Sequence, residues 1–283
     1  MEIGIGLPNV IPGTPGATLV DWARHAEERG FSAVATIDRV AYPSYESLIA
    51  LAAAAAVTGR IGLLTNVLLG PTRNPVLLAK EAASVDRISQ GRLTLGVSVG
   101  SRPDDYQAVG LGFADRGRRW DRDLELIHRA WNGELVNGAQ HPVGPAPTGG
   151  AVPLLIGGMS DAAIRRSVRW GIGWTVGGAP PEVGGPFAQR VRAAWREAGR
   201  QGEPRIVALT YFGLRESALE TATDYLGHYY GEAGKQFAQW IPKTPDQLRE
   251  AARKYEDHGF DELFVDPTLA DLTEIDRAAE ALL

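Results

Sequence analysis

The chain has 283 residues, 44% hydrophobic and 22% charged, enough to bury a large core as one α/β barrel or as two smaller domains. Its net charge of −5, without a lysine-rich stripe, argues against nucleic acid or an acidic membrane surface as the main partner. The absence of cysteine excludes disulfides, thiolate catalysis and cysteine-ligated metal.

Ile3 to Leu7 reads as a short strand, Thr18 to Arg29 as a helix closed by Gly30, and Ala33 to Ile37 as a second strand. Tyr45 to Thr58 is helical; its uncharged run around Leu48 to Val57 is too short to span a membrane. The N-terminus has neither a basic flank nor a hydrophobic signal core, so the expected location is cytoplasmic. Ile61 to Leu69 is an apolar run of strand length with a polar flaw at Thr65 and Asn66. A buried, unpaired Asn amide costs a few kcal/mol, so the chain must bulge there, turn the amide toward a polar ligand, or face it to solvent at a strand end.

Pro75 opens a helix that Gly91 stops after Gln90, and Arg92 to Val99 returns as a buried strand ending on Gly100-Ser101. Two helical segments follow, Asp104 to Val109 and Gly117 to Trp131, then a Gly- and Pro-rich surface excursion over 132–152. Leu154 to Ile156, Ile172 to Val176, Ile206 to Phe212 and Asp261 to Val265 are the remaining strands. Ser160 to Trp170, Pro181 to Ala198, Glu216 to Tyr229, Thr244 to His258 and Leu272 to Leu282 are the remaining helices. Eight strands each followed by a helix predict a (β/α)8 TIM barrel with a modest insertion, one domain over residues 1–283. A doubly wound open sheet is the alternative, but no glycine triplet opens a helix after the first strand.

The segments ATIDRVAYPSYESLIALAAAAAVTGRIGLLTNVL, PTRNPVLLAKEAASVDRISQGRLTLGVSVGS, RGRRWDRDLELIHRAW and PLLIGGMSDAAIRRSVRWGIGW together resemble the bacterial luciferase-like family of flavin-dependent oxidoreductases. The similarity is strongest from Asp38 to Trp131 and weakens after about Trp174. It implies a barrel with an insertion, a homodimer or higher homo-oligomer, and FMN or the deazaflavin coenzyme F420 at the C-terminal mouth. The chemistry it implies is hydride transfer between F420 and a small organic substrate, or FMN-dependent oxygen insertion served by a separate flavin reductase. A flavin-binding homologue without turnover is a further alternative. A metal-dependent barrel hydrolase is disfavoured because no His/Asp set clusters at the strand ends.

The resemblance also assigns residues. Thr65, Asn66 and Val67 become a bulge under the flavin ring, with a non-proline cis bond at Asn66-Val67. Asp38 approaches the ring edge as the candidate catalytic residue; without the resemblance it reads as a helix cap or a partner of Arg39. Related sugar-phosphate dehydrogenases carry a histidine directly after that aspartate, and Arg39 in its place argues against their reaction. Gly100, Ser101 and Arg102 contact the ring or its side chain. Gly157-Gly158-Met159-Ser160 opens a helix and offers backbone N–H groups to a phosphate. Gly177-Gly178 lies beside it or is only a turn. The segment His228 to Trp240 is a substrate lid or an inter-helix loop.

Overall fold

The computed structural model describes residues 1–283. The first half holds β1 (Glu2–Gly6), α1 (Gly16–Arg29), β2 (Ala33–Thr36), α2 (Ser47–Val57), β3 (Gly62–Thr65), β4 (Leu68–Leu69), α3 (Pro75–Ile88), β5 (Leu93–Ser98), α4 (Pro103–Ala108) and α5 (Arg116–Trp131). The second holds β6 (Leu154–Gly157), α6 (Asp161–Trp170), β7 (Gly173–Thr175), α7 (Pro181–Glu197), β8 (Arg205–Phe212), α8 (Ala218–Tyr230), α9 (Glu232–Phe237), α10 (Pro245–Asp257), β9 (Glu262–Pro267) and α11 (Thr273–Leu282). The strands are parallel in the order β3-β2-β1-β9-β8-β7-β6-β5-β4, and a further β3–β5 pairing closes the sheet on itself. β3 and β4 are two halves of one stave, so the fold is a (β/α)8 TIM barrel.

The break in that stave is a change of register. Leu64 lies opposite Thr94 of β5, whereas Leu68 lies opposite Val97, so four steps along one strand match three along the other. One extra residue in a strand is a β-bulge. The peptide bond at the break, Asn66-Val67, is cis.

Two apolar cores follow from strand alternation. Outward-facing strand residues pack under the helices in a cluster of 51 buried residues. Inward-facing Ala33, Ala35, Leu64, Leu155, Val207, Leu209 and Phe264 fill the lumen, and the same cluster continues through Tyr211 into Tyr225, Leu226 and Tyr229 of α8. The N-terminal end of the lumen is polar: Glu262 accepts from Ser32 Oγ at 2.8 Å and pairs with Arg205.

The structure moves several predicted boundaries by a residue or two and changes two features. The eighth strand runs past Val265 to Pro267, which brings Asp266 inside the sheet. The His228 to Trp240 segment is the end of α8 followed by the short helix α9, divided at Gly231.

Below the barrel, Arg92 ties three elements together. Its guanidinium donates to Thr58 Oγ1 (2.9 Å), to the carbonyls of Ala55 (3.0 Å) and Thr58 (2.9 Å) at the end of α2, and to Ile61 O (2.8 Å) before β3; its Nε donates to Ser89 O (2.8 Å) after α3. A cation at two helix C-termini is favoured by the helix dipoles, and the planar fork serves several acceptors at once. Arg92→Lys keeps the charge but not the fork, so it is expected to cost about 1–2 kcal/mol in urea denaturation, discounted for the group's partial exposure. An unchanged midpoint would show that charge alone suffices.

Candidate active site

The C-terminal ends of the strands converge on a mouth whose floor is built from small side chains. Asn66 occupies the inward position at the bulge, with 3% of its surface exposed. Its Oδ1 accepts from Thr175 Oγ1 of β7 at 2.8 Å, and its backbone N–H reaches Thr36 O at 2.7 Å. Its Nδ2 is buried without a partner. Thr65 points the other way and donates to Gly96 O at 2.7 Å. Val67 and Ser98 close on Gly157, where an added Cβ would stand 3.1 Å from Val67 Cγ1 and 3.2 Å from Ser98 Cβ.

Asp38 is buried and fully engaged. Its carboxylate accepts from Leu69 N (2.9 Å), from Ser47 Oγ (3.3 Å) and from Arg73 Nη2 (3.0 and 3.1 Å), which also reaches Glu46 at 2.8 Å. Asp38 thus braces the second half of the broken stave. The helix cap is Glu46, which accepts from Ile49 N, and Arg39 has other partners. The Arg39 Nε donates to both oxygens of Asp105 (3.0 and 2.7 Å), and its Nη2 to Asp104 at 2.8 Å. Asp105 also accepts from Val40 N and Ala41 N, so it fastens the loop after β2 to α4.

Gly100 accepts from Arg116 Nε at 3.1 Å, and Ser101 is exposed at the rim. The Arg102 guanidinium lies 4.8 Å from the Tyr229 ring centroid and 5.3 Å from that of Tyr230. Gly158 has φ +107°, and its carbonyl accepts from the buried Trp174 Nε1 at 2.8 Å. Met159 is exposed, and Ser160 caps α6 by accepting from Ala163 N at 3.2 Å. The Gly177 carbonyl accepts from Leu209 N at 3.0 Å.

Asp266, Tyr211 and Tyr225 were not expected from the sequence, whereas Tyr229 and Tyr230 fall in the aromatic His228 to Trp240 segment already expected to be a substrate lid or an inter-helix loop. Asp266, on β9, has an Oδ2 buried without a partner, and burial pushes its carboxyl up to about 7. Tyr211, Tyr225, Tyr229 and Tyr230 form an aromatic wall in which the Tyr211 and Tyr230 hydroxyls lie 2.9 Å apart. Burial raises the pKa of all four, so they remain neutral phenols. A cavity of about 400 Å³ lies between Gly178, Tyr211, Tyr230, Gly234 and Phe237. A larger one of about 660 Å³, toward Trp240 and Lys254, shares Gly178 and Phe237 with it and touches none of Asp38, Asn66, Ser101, Arg102 or Gly158.

These features fit a flat polar ring lying on the mouth. Two orphaned polar atoms, Asn66 Nδ2 and Asp266 Oδ2, stand at the top of the lumen, and backbone at Gly158 and Gly177 is approachable beyond it. The brace at Asp38 generates a stability prediction. Asp38→Asn keeps the acceptor for Leu69 N but leaves the partly buried Arg73 with Glu46 alone, so unfolding free energy is expected to fall by about 2 kcal/mol in denaturant titration. Unchanged stability would assign the neutralisation of Arg73 to Glu46.

The family model described as luciferase-like monooxygenase matches residues 1–244. An uncharacterized protein of Mycobacterium tuberculosis, Rv0940c, is 30% identical over 231 residues, covering 71% of this chain and 80% of the relative. The monooxygenase RslO1 from Streptomyces bottropensis superposes with a TM-score of 0.81 at 22% identity, over 99% of this chain and 96% of that one. An F420-dependent secondary alcohol dehydrogenase, solved in complex with an F420-acetone adduct, superposes with a TM-score of 0.82 at 15% identity, over 99% and 98%. The two structural likenesses show a shared fold. The chain itself, matched by the family model over most of its length, belongs to the luciferase-like monooxygenase family.

Proposed function

We propose that the protein is an oxidoreductase that transfers a hydride between coenzyme F420 and a small organic substrate. The observation that carries this reading is the buried Asn66 amide at the bulge, whose Nδ2 lacks a partner although its Oδ1 is held by Thr175. A buried donor left unpaired costs roughly 1–3 kcal/mol, and a ring carbonyl lying on the mouth removes that cost. The structural likeness to an F420-dependent dehydrogenase supports the same cofactor class. When bound, the cofactor supplies the hydride-carrying carbon.

The protein contributes binding, orientation and exclusion of water. Asn66 and Val67 support one face of the ring, while Gly100, Ser101 and Arg102 edge it. Arg102 makes no ion pair in the structure and is oriented by the faces of Tyr229 and Tyr230, which leaves its N–H donors available to an anionic or carbonyl group. The start of α6 takes the phosphate: the Gly157-Gly158 turn exposes backbone N–H groups at a helix N-terminus, where negative charge is favoured. Asp161 in the first helical turn would oppose an anion, but Arg190 pairs with it at 2.5 Å. Gly177 and Gly178 complete that side. Asp38, bound to Arg73 and Leu69 N, acts by holding the bulge in place.

FMN-dependent oxygen insertion is the second reading, favoured by the family description and by the likeness to the RslO1 monooxygenase. A separate flavin reductase would then supply the electrons. Titration of the purified protein with FMN and with F420, followed by reduction assays, decides between the two. F420 binding with substrate-dependent reduction supports hydride transfer; FMN binding alone with oxygen consumption supports oxygen insertion. Failure to bind either one overturns both.

The phosphate site gives a sharper prediction. A β-branched side chain at Gly158 is strained at φ +107° and crowds the turn, so Gly158→Val is expected to raise the cofactor dissociation constant about 10-fold or more, roughly 1.4 kcal/mol. Ser160→Ala should do less, because the Ser160 hydroxyl already serves Ala163 N. Equal binding of the intact and dephosphorylated cofactor by the unmodified protein would remove the phosphate from this turn.

A further inference from the structure

Asp266 is the uppermost inward-facing residue of β9, beside Tyr211 of β8 in the sheet register. Its carboxyl leans across the lumen wall onto β1, where a Cβ at Gly6 would stand 2.0 Å from Oδ1; only glycine leaves the acid its room. The residue is 3% exposed, and Oδ2 has no partner. A structural carboxylate buried to this degree is ordinarily ion-paired, as Asp38 and Asp105 are in this protein. Asp266 has no such partner. It shares the top of the lumen with the free Asn66 Nδ2, so two buried inward-facing side chains with unused hydrogen-bonding capacity face the same mouth. A protonated carboxyl and a primary amide are both donors, and the pyrimidine edge of a flavin or deazaflavin presents carbonyl oxygens that accept.

We propose that Asp266 docks on a ring carbonyl of the cofactor as a protonated acid, donating its O–H, so that cofactor binding by the ionised protein takes up one proton from solvent. The inference rests on the cofactor reading above and adds a residue and a proton to it. The only bond made is the carboxyl O–H, its proton given up by water or buffer as the ring settles on the acid; no carbon bond changes and no electrons are transferred.

The titratable groups facing Asp266 are tyrosines, Tyr211 from β8 and Tyr225 and Tyr230 from α8, all kept neutral by burial; β1 contributes only Gly6. Arg39 and Arg102 lie beyond Tyr230, and His228 on α8 is turned to the Tyr42 hydroxyl at 2.7 Å. Burial raises the folded-state pKa of Asp266 from the ordinary carboxyl value of 3.8 to about 7. The folded protein therefore holds this proton where the unfolded chain has lost it, and stability from this group falls as pH rises toward 7. A bound acceptor stabilises the protonated form further, so affinity is full in mild acid and declines in base.

The test is calorimetric titration of the full-length protein with FMN and with F420 at about pH 6 and about pH 9, in buffers of different ionisation heat. The expected result for the unmodified protein is at least about 10-fold weaker binding at the higher pH, with uptake of about one proton there. Asp266→Asn, which keeps a donor of the same shape but cannot ionise, is expected to bind equally at both pH values with no proton uptake. Thermal unfolding of the variant checks that it is folded. Binding by the unmodified protein that is independent of pH, or a pH dependence that survives in Asp266→Asn, overturns the proposal while leaving the cofactor reading intact. If the unmodified protein binds neither FMN nor F420 at either pH, the cofactor reading fails and this inference fails with it.

Discussion

The burial of a single amide organises the mouth of this barrel. Asn66 stands where the lumen changes from Leu64, Leu155, Val207 and Phe264 below to Ser98, Gly157, Thr175 and Asp266 above. An amide in that position needs fixed partners, and the chain supplies one to its oxygen from across the lumen at Thr175. Holding the bulge that aims Asn66 then requires an anchor for the resumed strand. That anchor is Asp38, which takes the Leu69 N–H and is itself held by Arg73 and Ser47.

Charge at the rim is handled in two ways. Arg39 is neutralised by Asp104 and Asp105 and serves as a fastener for the loop after β2. Arg102 is held by aromatic faces instead of carboxylates, which fixes its direction while leaving its positive field intact. Tyr229, with Tyr225 and Tyr211, belongs to the cluster that fills the lumen, so the wall formed by α8 is an extension of the barrel core, while Tyr230 stands at its exposed edge. It shares its packing with β8 and β9 through Leu209, Tyr211 and Phe264.

The barrel was legible in the sequence because each strand is a short apolar run and each helix has its own stop, such as Gly30 or Gly91. Asn66 was legible as a polar residue inside such a run. Asp266 was not: an acid following Leu263, Phe264 and Val265 reads as the point where a strand leaves the core, yet the clearance over Gly6 lets the strand continue with the acid inside. The partner of Asp38 was hidden for another reason. Arg73 lies 35 residues away, and only the bulge brings it alongside. Half of the tyrosine wall was legible, since Tyr229 and Tyr230 stand in the aromatic His228 to Trp240 segment; Tyr211 and Tyr225 were not, because aromatic residues in a strand or at helical spacing look the same whether they pack a core or border a site.

The bulge also carries its meaning in phase. Before it, Leu64 and Asn66 face inward; after it, Leu68 packs outward under the helices and Leu69 takes the inner side against Gly100. One additional residue has exchanged odd for even along the stave. The identity of the site is therefore written partly in chain length, not only in side chains. Loss of one codon between Thr65 and Leu68 would return the stave to unbroken alternation and erase the inserted step, with every neighbouring residue still encoded as before. Substitutions adjust this site, but the count of residues between Thr65 and Leu68 sets its frame.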